Sequence, residues 1–166
     1  YVNSTQTNRF DLRIRIPGWA DNETVPSDLY YYTDNKDINV EIMVNGVPYN
    51  YRNEKGYAVI TRKWKKGDKV SISLPMEPRK VLTNEVVESN NGLIDVERGP
   101  CVYCAEFDNN NGEVFNLSLP RNAGFRIKET PGFLNGICMI EASGKKYTVL
   151  PHSETVTSED AVITLI

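Results

Sequence analysis

The sequence has few of the residues from which metal sites and imidazole-based catalytic sites are built. Among 166 residues there are one histidine and three cysteines. Three is an odd number, so a framework in which every cysteine is paired within the chain is excluded. His152 has no partner at a regular spacing that would orient it as a general base, and we interpret it as a surface or loop residue.

Long apolar runs and an excess of basic charge are also absent. No stretch of 18 consecutive apolar residues occurs, so no membrane-spanning helix is predicted. The 19 Lys and Arg residues are outnumbered by 22 Asp and Glu, giving a net charge of −3. A nucleic-acid partner would require a basic face, and we therefore expect none. The densest basic stretch, RKWKKGDK at 62–69, is interpreted as a solvated hairpin turn.

The apolar pattern is that of strands, because no segment keeps helical spacing over three turns. Residues 9–16, RFDLRIRI, alternate apolar and charged side chains, as a strand with one buried face does. Asn45-Gly46 after the alternating segment 38–44 predicts a hairpin, since both residues tolerate positive φ. Further strands are predicted at 56–64, 69–74, 80–87, 93–97, 101–107, 113–119, 124–129, 136–142, 146–150 and 161–166. We predict an all-β fold of antiparallel, jelly-roll-like β-sandwiches.

Two prolines, Pro75 and Pro78, interrupt the series of strands and suggest a domain boundary. We predict a first β-sandwich domain at residues 1–77, with a polar loop insertion at 20–37. A second β-sandwich domain is predicted at residues 78–166. The chain ends in a strand-like segment with no turn after it, so we expect this second sandwich to be truncated at its C-terminus.

The spacing C-x-x-C in CVYC raises the question of a metal or redox site. A four-ligand zinc site would require Cys101, Cys104, Cys138 and His152 together. The Val and Tyr between the first two thiols favour a strand, in which an offset of three residues points the thiols to opposite faces. A redox pair would need a following helix to lower the thiol pKa, and none is predicted. We interpret these residues as buried strand cysteines and predict no metal site, with zinc and redox chemistry as the alternatives.

Aromatic side chains are the candidates for ligand binding. Trp19, Trp64 and the triplet Tyr30, Tyr31 and Tyr32 would suit a platform for sugar rings, although we favour packing at sheet edges for the two tryptophans. The triplet lies in a polar loop and is the better contact surface. Glycosidases use a pair of carboxylates, but 22 acidic residues give no basis for choosing one. No catalytic residue is predicted.

Four motifs carry a family resemblance. They are LRIRIPGWA at 12–20, VNGVP at 44–48, GYAVITRKWKKGDKVSISLPMEPR at 56–79 and VERGPCVYCAE at 96–106. In this order they resemble the C-terminal region of the β-L-arabinofuranosidase-like glycoside hydrolases, family 127, over residues 9–107.

The resemblance implies an (α/α)6 barrel that carries catalysis, followed by β-sandwich domains. In the family, a zinc-bound cysteine nucleophile and a glutamate acid/base lie in the barrel, upstream of this region. No stretch of the chain matches those motifs, so neither a catalytic residue nor zinc is carried over. The resemblance implies three partners: the missing N-terminal catalytic barrel, a second copy in a homodimer, and a plant-type glycan. It also suggests an exported or periplasmic setting.

We therefore expect the chain to be the non-catalytic accessory part of a glycoside hydrolase, inactive alone, that supports the barrel or oligomer assembly. One alternative is a carbohydrate-binding module that uses Trp19 and the Tyr30–Tyr32 loop. The other is a purely structural interdomain or dimerisation scaffold.

Overall fold

The computed structural model describes residues 1–3, 7–132, 136–151 and 153–166. Its strands are β1 (Asn8–Arg15), β2 (Tyr30–Tyr32), β3 (Glu41–Val44), β4 (Val47–Pro48), β5 (Arg52–Glu54), β6 (Tyr57–Trp64), β7 (Val70–Ser73), β8 (Pro78–Thr83), β9 (Asp95–Arg98), β10 (Cys101–Tyr103), β11 (Leu117–Ser118), β12 (Phe125–Lys128), β13 (Met139–Val149) and β14 (Val156–Leu165). Short 3₁₀ turns lie at Gly18–Asp21 and Glu88–Asn90. The predicted all-β sandwich fold is confirmed. Within the described ranges, no helix has the length and apolar character needed to cross a bilayer.

The first sandwich packs two three-stranded sheets, with strand orders β1-β6-β5 and β4-β3-β7. Alternation along β1 places Leu12 and Ile14 opposite Ile60 and Ala58 of β6. Both β6 residues are completely buried, so one face of this sheet becomes core. The buried core residues are Ile16, Ala20, Val40, Ile42, Val44, Ala58, Ile60 and Trp64.

The second sandwich packs the sheet β10-β9-β8-β2 against a sheet centred on β13. Strand β13 pairs with β11 and β12 and also with the ten-residue β14. The buried core residues come from both sheets and are Val96, Tyr103, Ile140, Ala142, Ile163 and Leu165. Each sandwich therefore has its own hydrophobic core.

The predicted loop insertion at 20–37 is partly wrong, because it contains a strand. Tyr30, Tyr31 and Tyr32 form β2, which pairs antiparallel with β8. This strand is taken into the sheet of the second sandwich, although it precedes the proposed boundary at residue 78. The division into 1–77 and 78–166 stays a prediction, and backbone pairing links the two segments across it.

Two turns that the sequence indicated behave differently. Asn45-Gly46 joins β3 to β4 with φ values of 55° and 79°, as the hairpin prediction required. The turn after Trp64 is not a hairpin, because β6 pairs with β1 and β5 while β7 pairs with β3. The chain crosses between the two sheets here. Asp68 is 7% exposed rather than solvated.

Asp68 is buried because its side chain links the Asn45-Gly46 turn to the turn at 65–68. Its carboxylate accepts hydrogen bonds from Asn45 Nδ2 at 2.8 Å and from the Lys65 amide at 2.9 Å. The Asn45 side chain in turn accepts from the Lys69 amide at 2.8 Å. The hydrogen bonds from Asn45 and Lys65, in that order, lower the pKa of Asp68 below its usual value.

The two segments predicted at 136–142 and 146–150 belong to one strand, β13. Gly144 lies in its middle and is buried. A side chain there would meet Ile163 Cγ1 at 2.7 Å and the Ser118 carbonyl oxygen at 2.9 Å. Glycine is required because a neighbouring backbone approaches this face of the strand.

Asp68→Asn is expected to lower the melting temperature at neutral pH. A carboxylate whose pKa is depressed by folding stabilises the protein above its unfolded pKa, and this contribution is lost as the pH falls through the lower folded value. The gap in melting temperature between wild type and variant should therefore be present at pH 7 and narrow below pH 3.8, the ordinary value. Thermal unfolding followed by circular dichroism at several pH values measures this gap. The exposed Asp108→Asn serves as control, and a gap that stays constant down to pH 2 would contradict the prediction.

Gly144→Ala should destabilise the second sandwich by about 1–3 kcal/mol, the usual cost of overpacking a well-packed site. Gly124→Ala is the matched control, since a methyl group there meets nothing within 4 Å. We expect the control to stay within about 0.5 kcal/mol of wild type. Urea denaturation compares the two variants, and equal stabilities would show that the close approach at Gly144 is unimportant.

Candidate functional site

The tyrosine triplet is divided between the two faces of β2. Successive side chains of a strand point to opposite faces, so Tyr31 lies apart from Tyr30 and Tyr32. Tyr31 is 49% exposed, whereas its two neighbours are partly buried. The three rings therefore do not form one platform.

Tyr32 lies at a cleft between the two sandwiches, which we call the junction cleft. It has a volume of about 180 Å³. Its wall includes Trp19, Tyr32, Pro75, Glu77, Arg79 and Glu97. Of the four predicted ligand-binding residues, the structure brings Trp19 and Tyr32 together here. Tyr30 and Tyr31 are not among the lining residues.

Strand register explains why these polar groups meet. Arg79 of β8 lies opposite Glu97 of β9, and Tyr32 of β2 lies opposite Val81 of β8. Residues that face each other or lie two apart on a strand share one face of the sheet. Lys80 belongs to the other face, where its Nζ donates to the Arg121 carbonyl at 2.5 Å.

Arg79 is the centre of the polar network and is 5% exposed. Its Nε donates to Asp34 Oδ1 at 2.9 Å, and its Nη2 donates to the same oxygen. The guanidinium carbon lies 3.5 Å from the centre of the Tyr32 ring. Arg79 Nη1 is buried and has no hydrogen-bond partner within the described part of the chain.

Tyr32 connects this cation to a carboxylate. Its hydroxyl donates to Glu97 Oε2 at 2.8 Å. Burial, and next the hydrogen bond to Glu97, raise the pKa of the Tyr32 phenol. Tyr32 is therefore a neutral donor at physiological pH, and its bond orients the Glu97 carboxylate at the cleft wall.

The two tryptophans have different surroundings. Trp64 is completely buried, stacks on Phe10 at 5.7 Å and donates from Nε1 to the Phe10 carbonyl at 3.0 Å. It packs as expected, but on the central strand β6 rather than at a sheet edge, and it is no part of a surface platform. Trp19 lies in the first 3₁₀ turn, contacts the first core and also lines the junction cleft.

The interpretation of the cysteines as buried is wrong for the C-x-x-C pair. Cys101 and Cys104 are exposed, and Cys138 is partly exposed. Cys101 begins β10, the outer strand of its sheet, and only Tyr103 of that strand enters the core. Among the described residues, no group of three His, Cys, Asp or Glu side chains fits a metal ion. His152, the fourth ligand of the zinc alternative, lies outside the described residues.

Sequence reasoning missed the charged residues of the cleft. Asp34, Arg79 and Glu97 lie up to 63 positions apart, and although Arg79 and Glu97 belong to two of the motifs that carry the family resemblance, nothing in those motifs marked them as a site. The register of the strands that carry Arg79 and Glu97 is unknown before the sheet is assembled, so no local signal predicted that these two side chains meet.

Comparison with known families assigns both parts of the chain. Residues 1–76 match the family model described as beta-L-arabinofuranosidase, GH127 middle domain. Residues 78–154 match the model described as glycoside hydrolase family 127 C-terminal domain. A curated relative is the non-reducing end beta-L-arabinofuranosidase of Bifidobacterium longum subsp. longum, which is 32% identical over 111 residues. That alignment covers 67% of this chain and 14% of the relative.

Solved structures are similar over nearly the whole chain. The GH127 beta-arabinofuranosidase BT3674 is 36% identical with a TM-score of 0.88, over 96% of this chain and 25% of that protein. Ara127N-Se, a GH127 beta-L-arabinofuranosidase from Geobacillus stearothermophilus T6, is 26% identical with a TM-score of 0.78. The match covers 98% of this chain and 24% of that protein. The chain thus spans about a quarter or less of these relatives.

Asp34→Ala should destabilise the fold by about 2–4 kcal/mol, because it leaves the Arg79 charge buried without its counter-ion. The expected loss lies near the lower end of the range for buried ion pairs, because the Asp34 side chain is 28% exposed. The matched control is Asp160→Ala, which breaks a 3.0 Å pair with Lys145 in which Asp160 is 94% exposed. That loss should not exceed about 1 kcal/mol. Chemical denaturation of both variants gives the comparison, and similar losses would contradict a structural role for the Arg79 network.

Proposed function

This chain belongs to glycoside hydrolase family 127, and from that premise we propose that it is the non-catalytic accessory part of a β-L-arabinofuranosidase-like enzyme. The observation that carries the proposal is the match of its two segments to the middle and C-terminal domains of the family. The relatives named as β-L-arabinofuranosidases are four or more times longer than the matched region. In this proposal the reaction belongs to polypeptide outside these two sandwiches.

The accessory role is to provide a rigid block against which a catalytic barrel packs. The second sandwich carries an apolar groove of about 480 Å³ whose lining includes Leu93, Val102, Phe115 and Leu119. Phe115 is 93% exposed. Monomeric proteins seldom expose several large apolar side chains next to one another, which supports a contact between this groove and further protein. The proposed partners are the catalytic barrel and, secondly, another copy of the chain. No residue of this chain is assigned to zinc.

A turnover assay tests the accessory role directly. We expect the 166-residue chain to release no product from p-nitrophenyl β-L-arabinofuranoside above the buffer rate. The positive control is a longer protein that includes the barrel. Turnover by the isolated chain, retained after purification by a second method, would overturn the proposal.

Two alternative functions differ in their readout. A purely structural dimerisation scaffold would self-associate, so sedimentation velocity over a range of concentrations would show a dimer, and Phe115→Ser would weaken it. A carbohydrate-binding module is favoured by one observation, namely that Trp19 and Tyr32 share the junction cleft with three carboxylates. Binding measurements with sugars distinguish this function from the scaffold.

A further inference from the structure

We propose that the junction cleft binds one neutral sugar residue, recognised by the Trp19 wall and by the Glu97 carboxylate that Tyr32 orients. The proposal deepens the carbohydrate-binding alternative and rests on it. It differs from the platform of three tyrosines expected from the sequence, since Tyr31 is excluded from the site.

The size of the cleft sets the size of its ligand. Its volume of about 180 Å³ is below the roughly 300–1,000 Å³ of pockets that hold drug-sized molecules. A single furanose or pyranose ring suits this space, whereas an oligosaccharide would have to extend beyond it. Trp19, Ile38 and Pro75 supply apolar surface on the wall. The C–H groups of a sugar ring pack on such surface, with an aromatic ring as the main contact.

The charges of the wall select against anionic ligands. Two cations, Lys36 and Arg79, face three carboxylates of Asp37, Glu77 and Glu97. Both cations already have partners, since Lys36 Nζ lies 3.0 Å from Glu77 Oε2 and Arg79 is paired with Asp34. An anion such as a uronate would therefore meet an excess of negative charge. Carboxylates accept hydrogen bonds from hydroxyl groups, which a neutral sugar supplies in number.

The polar groups are held in place before any ligand arrives. Glu97 is oriented by the Tyr32 hydroxyl at 2.8 Å, and Tyr32 is held by the Arg79 guanidinium above its ring. A ligand that meets preorganised groups loses less free energy to ordering them.

Titration calorimetry and saturation-transfer NMR of the 166-residue chain test the proposal with three probes. These are L-arabinose and D-xylose as neutral sugars and D-galacturonate as an anion. We expect at least one neutral sugar to bind with a Kd of about 1 mM, as is usual for a small ligand. D-galacturonate should bind at least about tenfold more weakly, because its carboxylate meets an excess of negative charge on the wall.

Variants locate the binding. Trp19→Ala should weaken it by about tenfold or more, and Tyr31→Ala, on the opposite face of β2, should leave it unchanged. Trp19 also contacts the first core, so Glu97→Gln is a second variant that retains the shape and an acceptor for Tyr32. We expect a loss of about fivefold or more from it, since a neutral amide accepts hydrogen bonds more weakly than a carboxylate. Circular dichroism confirms that each variant is folded.

Three results would overturn the proposal: no binding of either neutral sugar, binding of galacturonate that is tighter than that of both neutral sugars, or binding that is lost in Tyr31→Ala but kept in Glu97→Gln. The last result would place recognition on the exposed face of β2. The assay for turnover is independent of these measurements. An inactive chain that binds no sugar leaves the accessory role standing and removes only the sugar site.

Discussion

The pairing of β2 with β8 is the constraint on which the arrangement of the molecule depends. Each sandwich has a separate hydrophobic core, and among the described residues the two cores share no member. Three residues from the first segment nevertheless complete a sheet of the second. Backbone hydrogen bonds of this kind fix direction and register together. The junction cleft lies beside this strand, where Trp19 of the first 3₁₀ turn lines the same cavity as Arg79 of β8 and Glu97 of β9.

The charged network beside that strand adds specificity at a cost. Taking Arg79 and Asp34 out of water is unfavourable, and their attraction does not always exceed the desolvation penalty. Replacing a buried ion pair with apolar groups of similar volume is often neutral or stabilising, so the pair is not by itself a source of stability. The Arg79 guanidinium must contact both Asp34 and the Tyr32 ring while it lies on the sheet face that carries Glu97. One position satisfies these requirements together. We infer that the network serves to fix the geometry of the two sandwiches.

Local patterns in the sequence were sufficient for the fold class but not for the connections between sheets. The alternation of apolar and charged residues predicted β1, and the Asn45-Gly46 pair predicted the hairpin between β3 and β4. Both signals depend on only a few neighbouring residues. The turn at 65–68 carried the same kind of signal, yet it joins two different sheets. What decides between a hairpin and a crossing is the set of partners available to β6 and β7 far along the chain. The same limit hid Arg79 and Glu97, whose proximity follows from register alone.

The distance in sequence between β2 and β8 has a consequence for synthesis on the ribosome. About 50 residues separate Tyr30–Tyr32 from the end of its pairing partner β8, so the partner leaves the ribosome well after this strand does. Domains usually fold in order from the N-terminus, and contacts that close long loops form slowly. The nascent segment therefore waits with unsatisfied amide and carbonyl groups while the first core assembles. Its three consecutive aromatic residues are then exposed and prone to nonspecific association. A chaperone would be most useful to the growing polypeptide during this interval.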